Sequence, residues 1–151
     1  MCSTTVRILL GLNVKVNENV SSAPLARGVD NVVLVRVEQL FPFPHEALAR
    51  RLARYPDAEL VWCQEEPKNM GFWTFVQPRV NTAVRELLQD GAAGGGGGGG
   101  GTNNTIITRE VRYVGRPAAA SPATGSPTIH AAETKALINE ALGLRRKSAW
   151  D

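Results

Sequence analysis

Val32-Val33-Leu34-Val35-Arg36-Val37 is a nearly continuous β-branched run. Such a run, bounded by turn residues, predicts a strand covered on both faces, as in a parallel sheet. Pro42 and Pro44 follow and favour extended backbone. From His45 to Tyr55, Leu48, Leu52 and Tyr55 recur at helical spacing, with Arg50, Arg51 and Arg54 outside, and Pro56 ends the pattern. Glu59-Leu60-Val61-Trp62-Cys63 then reads as a second strand. A strand, a helix and a strand in this order form a right-handed βαβ unit.

Upstream, Val6, Ile8, Leu10, Leu12, Val14 and Val16 alternate with Arg7, Leu9, Gly11, Asn13 and Lys15. This period of two predicts a strand or hairpin over 6–16 with one buried face, and Gly11 is a candidate bulge. Asn17 to Gly28 reads as a loop. Downstream, a polar loop runs from Gln64 to Gly71. Phe72, Phe75, Val76, Val80, Ala83, Val84, Leu87 and Leu88 then form a helical apolar face, which Pro78 should kink or delay. Gly94–Gly101 cannot pack a core and marks a Gly-rich insertion over 91–104. Thr105 to Val114 reads as a strand and Pro117 to Pro127 as an extended loop. Thr128 is placed to cap a last helix with Leu137, Ile138, Ala141 and Leu142 inward, and Gly143 to stop it. The fold class is therefore α/β, with a mainly parallel sheet. Function in such sheets gathers at the strand carboxyl ends, here the loops 38–44, 64–71 and 115–127.

The chain has 151 residues and a net charge of +3. Residues 1–90 carry ten basic and ten acidic side chains, and residues 91–151 carry seven and four. The excess lies in Arg109, Arg112 and Arg116 and in a basic tail over 144–151. It reads as a solvated basic face or as an anion site. Cys2 and Cys63 do not make a disulfide framework, and Cys63 ends an apolar run as a small buried hydrophobe. The sequons at Asn19 and Asn103 lack a secretory signal before them, so a reducing compartment is expected. No apolar stretch is long enough for a membrane helix. With two Cys and two His scattered, no metal-ligand spacing exists. Nucleophile-elbow, phosphate-loop and dinucleotide-binding motifs are absent, and the polyglycine lacks the flanking strand and helix that would give it such meaning.

Three features carry possible chemistry. Glu65-Glu66 are adjacent carboxylates between a strand and a helix. They are suited to acid–base work if one is desolvated, or to capping the helix and orienting the loop. Gly71 at the helix entry, with Lys68 nearby, suits an anion. His45 and His130 each stand at a helix start and read as polar helix-end residues. Trp62, Trp73 and Tyr113 read as core rather than a base-stacking platform, so nucleic acid is not an expected partner.

The loops carry a family likeness. Val35-Arg36-Val37-Glu38-Gln39-Leu40-Phe41-Pro42-Phe43-Pro44 is followed by Ala58-Glu59-Leu60-Val61-Trp62-Cys63-Gln64-Glu65-Glu66-Pro67-Lys68-Asn69-Met70-Gly71. Tyr113-Val114-Gly115-Arg116-Pro117, Ser121-Pro122-Ala123-Thr124-Gly125 and Thr128-Ile129-His130 come after them. In that order they closely resemble the C-terminal end of the thiamine-dependent component of 2-oxoglutarate dehydrogenase, or of its 2-oxoadipate relative. The likeness covers about Asn31–Leu88 and Val111–Leu142. It implies a transketolase C-terminal-domain-like sandwich over 31–143, partly truncated at its N-terminal side, after a divergent segment 1–30. The parent activity it implies is oxidative decarboxylation of 2-oxoglutarate with succinyl transfer to a lipoyl arm. The partners it implies are the other domains or subunits of a 2-oxo acid dehydrogenase complex, in the mitochondrion.

The resemblance also marks what this chain lacks. Thiamine diphosphate and magnesium belong to an earlier domain of the family, with a Gly-Asp-Gly signature; the aspartates here are Asp30, Asp57, Asp90 and Asp151, none in that setting. No catalytic residue and no bound cofactor or metal is therefore expected. Gln64, Glu65, Glu66 and Asn69 match the family-motif loop. The effector known in some members is acetyl-CoA or an adenine nucleotide, and the candidates for its anion site are Lys68, Gly71, Arg112 and Arg116. Three roles stay open: a fragment or domain supporting a dimer and an effector response, a free-standing acyl-CoA or nucleotide sensor, and an inactive interaction protein.

Overall fold

Apolar residues that alternate along the strands split between two faces, and each face has its own helices. The computed structural model describes residues 6–11, 29–93 and 110–144. Its elements run β1 (Arg7–Gly11), β2 (Val32–Arg36), α1 (His45–Leu52), β3 (Glu59–Cys63), α2 (Trp73–Ala93), β4 (Arg112–Val114) and α3 (Pro127–Ala141). The strands form one sheet in the order β2-β1-β3-β4. All three pairings are parallel. Ile8, Leu10, Leu60 and Trp62 face α1 and α2, where Leu48, Leu52, Val76, Val80 and Ala83 meet them. Leu9, Val61, Cys63 and Val114 turn the other way, onto Leu137, Ile138, Ala141 and Leu142 of α3. The result is an α/β sandwich of three layers, consistent with a transketolase C-terminal-like domain.

The strand expectations need two corrections. Residues 7–11 do form a strand, but it lies in the middle of the sheet. Ile8, Leu9 and Leu10 are all buried, so both faces are covered rather than one. Gly11 stays in register opposite Arg36, not in a bulge. Conversely, the β-branched run of β2 takes the outer position and is only half-buried. Composition marks both strands as apolar; which one becomes central depends on crossover order. Residues 12–16 lie outside the described residues.

The helices follow the sequence closely, with shifted ends. Pro78 sits inside α2 without delaying its start. Residues 91–93 of the expected insertion extend that helix, and 94–104 lie outside the described residues. Phe72 is 43% exposed, not inward. Ser126, not Thr128, is the N-cap of α3, with no side-chain cap bond, because Pro127 takes the first helical position. Gly143 stops α3 at a φ of 73°, and the Leu144 N–H reaches back to Asn139 O at 2.8 Å. Of the expected strand 105–114, Arg112–Val114 are strand, and 105–109 lie outside the described residues, as do Cys2, both sequons and tail residues 145–151.

Charge fastens the amino ends of the strands. Period two puts Arg7, Glu59 and Arg112 on the α3 face, beside Leu9, Val61 and Val114. Arg7 stands opposite Glu59 in register and donates to its Oε2 through Nε at 2.6 Å. Arg112 Nε donates to Glu59 Oε1 at 2.7 Å, and its Nη1 to Glu140 Oε1 at 3.1 Å. Arg7 Nη1 also donates to the carbonyls of Glu140 and Ala141, at 3.3 and 3.2 Å. These are last-turn carbonyls of α3, where a cation is favoured. Burial alone would raise the Glu59 pKa, but the Arg112 and Arg7 guanidiniums outweigh it and hold the carboxyl below its ordinary value. A depressed carboxyl stabilises the fold above its unfolded pKa, and that contribution is lost as pH falls through the folded value. Glu59→Gln is therefore expected to lower stability at pH 7 by about 1–2 kcal/mol. Urea melts should show the gap between wild type and variant narrowing as pH falls below the ordinary Glu range.

Candidate functional site

The carboxyl ends of β3 and β4 carry the motif loops, and a buried amide organises them. Gln64 follows β3 directly and is 2% exposed. A carboxamide so placed must satisfy its donors and acceptor within the protein. Its Oε1 accepts from Trp62 Nε1 at 2.9 Å, which fixes the amide's orientation. Its Nε2 is shared among the carbonyls of Glu66, Pro67 and Met70, at 3.2, 3.1 and 2.8 Å. The loop 64–71 is thus wrapped around one side chain. Gly71 closes it with a φ of 63°, a left-handed conformation that favours glycine.

The second loop is held against the first. The Gln64 N–H donates to Val114 O at 3.1 Å and the Lys68 N–H to Arg116 O at 3.1 Å. Tyr113 Oη lies 3.0 Å from Glu66 O and 2.8 Å from Arg116 O, so its one proton bridges both loops. Burial is the main reason its pKa is raised, which keeps the phenol a donor. Asn69 reads the backbone of Ala119 both ways: Nδ2 donates to its carbonyl and Oδ1 accepts its N–H, each at 3.0 Å. Gly115 has no room for a side chain, since a Cβ there would meet Tyr113 Oη and lie 2.7 Å from Gln64 O.

The candidate anion residues do not all meet. Lys68 is exposed, with Nζ 5.7 Å from the Tyr113 ring centre, in cation–π range. Arg116 Nε lies 3.0 Å from Glu133 Oε2, both side chains nearly buried at 13% and 14% exposure, and its Nη1 donates to Pro122 O at 2.9 Å. Lys68, Gly71 and Arg116 therefore share the carboxyl end of the sheet, with Arg116 charge-paired. Arg112 stands at the amino end, engaged with Glu59 and Glu140.

Of the carboxylates, Glu65 approaches His130 Nε2 at 3.6 Å, linking the loop to the first turn of α3. α2 begins at Trp73, beyond the Gly71 turn that follows Glu65 and Glu66. His45 starts α1 and packs edge-on against Phe43, its Nδ1 buried without a described hydrogen-bond partner. Burial pushes the Cys63 thiol up to about 12, with Glu140 adding to the shift and Arg112 opposing it, so it is no nucleophile. Among the described residues, no three His, Cys, Asp or Glu side chains gather as a metal site. The loops do not fit a magnesium-bound diphosphate. Glu133 is taken up by Arg116, Glu65 stands beside His130, and the loop carbonyls are used internally. The tyrosine bridge is the element that sequence reading missed, because an aromatic on a short strand looks like core.

Comparison with known proteins places the same segment in one family. The family described as 2-oxoglutarate dehydrogenase C-terminal matches residues 15–142. The chain is similar to the 2-oxoglutarate dehydrogenase E1 components of Brucella anthropi, Brucella ovis and Brucella melitensis biotype 2. Each is 45% identical over 117 residues, covering 78% of this chain and 10% of the relative. The chain thus spans about a tenth of the length of the curated relatives it matches.

Gln64→Leu keeps the volume but strands the Trp62 N–H and three carbonyls. It is expected to destabilise by about 2–4 kcal/mol. Gly115→Ala should also destabilise, through displacement of Tyr113. Urea denaturation followed by tryptophan fluorescence measures both.

Proposed function

Because the chain belongs to the 2-oxoglutarate dehydrogenase C-terminal family, we propose that it serves as the C-terminal domain of a 2-oxoglutarate dehydrogenase E1 component. In this reading it supports the dimer, responds to an effector and performs no chemistry alone. The observation that carries it is the family match over residues 15–142, a segment that contains the clasped loops at the carboxyl ends of β3 and β4, together with 45% identity over 117 residues. Oxidative decarboxylation of 2-oxoglutarate, with succinyl transfer to lipoyl, belongs to the longer protein. Thiamine diphosphate would supply the electron sink there, held with magnesium by residues outside this chain. The partners are the remaining domains and subunits of the complex, and the compartment is the mitochondrion, as the resemblance implies.

The effector surface is the exposed Lys68 beside the Gly71 turn, where a phosphate of acetyl-CoA or an adenine nucleotide would find a cation and helix-entry amides. Arg116 would act from behind, its charge released toward the ligand only if Glu133 yields. Arg112 is too committed at the opposite end to join.

A chimera tests the domain role. Residues 15–142 replace the matching segment of the Brucella anthropi E1 component. Retained 2-oxoglutarate oxidation is expected; a folded chimera without it would overturn the reading. The 151-residue chain alone, given thiamine diphosphate, magnesium and 2-oxoglutarate, should release no carbon dioxide. For the effector role, Lys68→Glu is expected to weaken acetyl-CoA or AMP binding about tenfold, near 1.4 kcal/mol, by calorimetry. Unchanged affinity would remove Lys68 from the site.

A further inference from the structure

A cleft of about 310 Å³ opens on the α1 face of the sheet, between β2 and the end of α1. Its floor follows from the strand register. Val33 stands opposite Ile8 in the parallel ladder, and a period of two turns Val33 and Val35 to the same face as Ile8. Leu52 of α1 closes the floor from the helix side. Ile8 and Leu52 are fully buried, whereas Val33, Val35 and Tyr55 pack on that cluster and stay half-buried. Covering those half-buried apolar walls would be favourable.

The mouth of the cleft is basic. Past α1 the chain makes one more tight turn: the Arg54 N–H donates to Arg51 O at 3.3 Å and the Tyr55 N–H to Leu52 O at 3.0 Å. That three-residue spacing sets Arg51 beside Arg54, and Leu52 beside Tyr55. The apolar pair turns inward, and both arginines are exposed where they line the cleft. Arg36 also borders it, but its Nε lies 2.6 Å from Glu38 Oε1. Arg50 pairs with Glu46. No described carboxylate pairs with Arg51 or Arg54.

Charge and lining together identify the occupant. Neighbouring like charges on one turn repel, and an anion between them removes that cost. Guanidinium forks match the planar carboxylate best, because they can bind it through two parallel hydrogen bonds. The floor is branched and aliphatic, so the body of the ligand is aliphatic too. The volume lies at the small end of ligand pockets, which suits a compact molecule.

We propose that this cleft binds a small aliphatic carboxylate, with its chain on Ile8, Val33, Val35 and Leu52 and its head group between Arg51 and Arg54. The site stands apart from the Lys68 surface, since α1 ends toward the amino end of β3 and Lys68 follows its carboxyl end. It depends neither on that surface nor on the parent activity.

The probe is octanoate, titrated into the 151-residue chain and followed by NMR. The methyl signals of Val33, Val35 and Leu52 are expected to shift and to show contacts with the octanoate chain. Two controls separate the ends of the ligand: octanamide keeps the chain without the charge, and acetate keeps the charge without the chain. Each should bind about tenfold more weakly or worse. Arg51→Gln with Arg54→Gln should lower octanoate affinity about tenfold and leave octanamide binding as it was, whereas a merely structural loss would weaken both. Should the double variant unfold, Arg54→Gln alone, past the end of α1, should still cost about threefold. Equal binding of octanamide would mean adsorption to an apolar surface, and equal binding of acetate a bare charge patch; either would overturn the proposal. So would unchanged octanoate affinity in the variants, shifts confined to other methyl groups, or no binding at all.

Discussion

Strand β3 is buried on both faces, and the architecture depends on how the polar groups at its two ends are satisfied. Glu59 at its start cannot stay ionised in a half-buried setting without partners, and Arg7 and Arg112 supply them from the strands on either side. Gln64 just past its end has no water, so its amide takes up Trp62 and three loop carbonyls. The amino-end charges set the register of three strands and anchor the end of α3. The carboxyl-end amide sets the conformation of the loop on which the candidate site stands. An uncompensated charge or carboxamide at such depth would cost several of the few kcal/mol by which a domain this size is stable.

The two ends differ in what they offer a ligand. At the amino end the four charged side chains neutralise one another and the helix terminus, so little field is left over. At the carboxyl end Arg116 is neutralised by Glu133, but Lys68 projects from the rim, its charge over the Tyr113 ring. Loops already held by internal hydrogen bonds would leave little ordering entropy to be lost if the proposed effector binds there.

Much of this was legible from local pattern. The spacing of Leu48 and Leu52, and of Leu137, Ile138, Ala141 and Leu142, marked faces that the structure buries. The run ending in Cys63 announced a buried strand, and the order of the motif loops announced the family, which the match over residues 15–142 bears out. The importance of the 64–71 loop was also visible, but only as a motif. That Gln64 is its inner support shows only in the folded loop, although its bonds reach two to six residues along the chain, and that Tyr113 ties the loop to β4 required a contact between residues 47 positions apart.

Sequence by itself determined the α/β class, the helical faces, the glycine that ends α3 and the loops that carry the family likeness, because each is written in neighbours or in a period of two or 3.6 residues. Tertiary structure decided the strand order. It placed β1 in the centre and the more β-branched β2 at the rim, since crossover geometry rather than composition chooses neighbours in a parallel sheet. It also separated Arg112 from Arg116. The two are only four residues apart, but a strand lies between them, carrying one to the amino-end ion network and the other to the carboxyl-end loops. A short extended segment moves charge across the sheet faster than any reading of local composition can follow, about 3.3 Å for every residue.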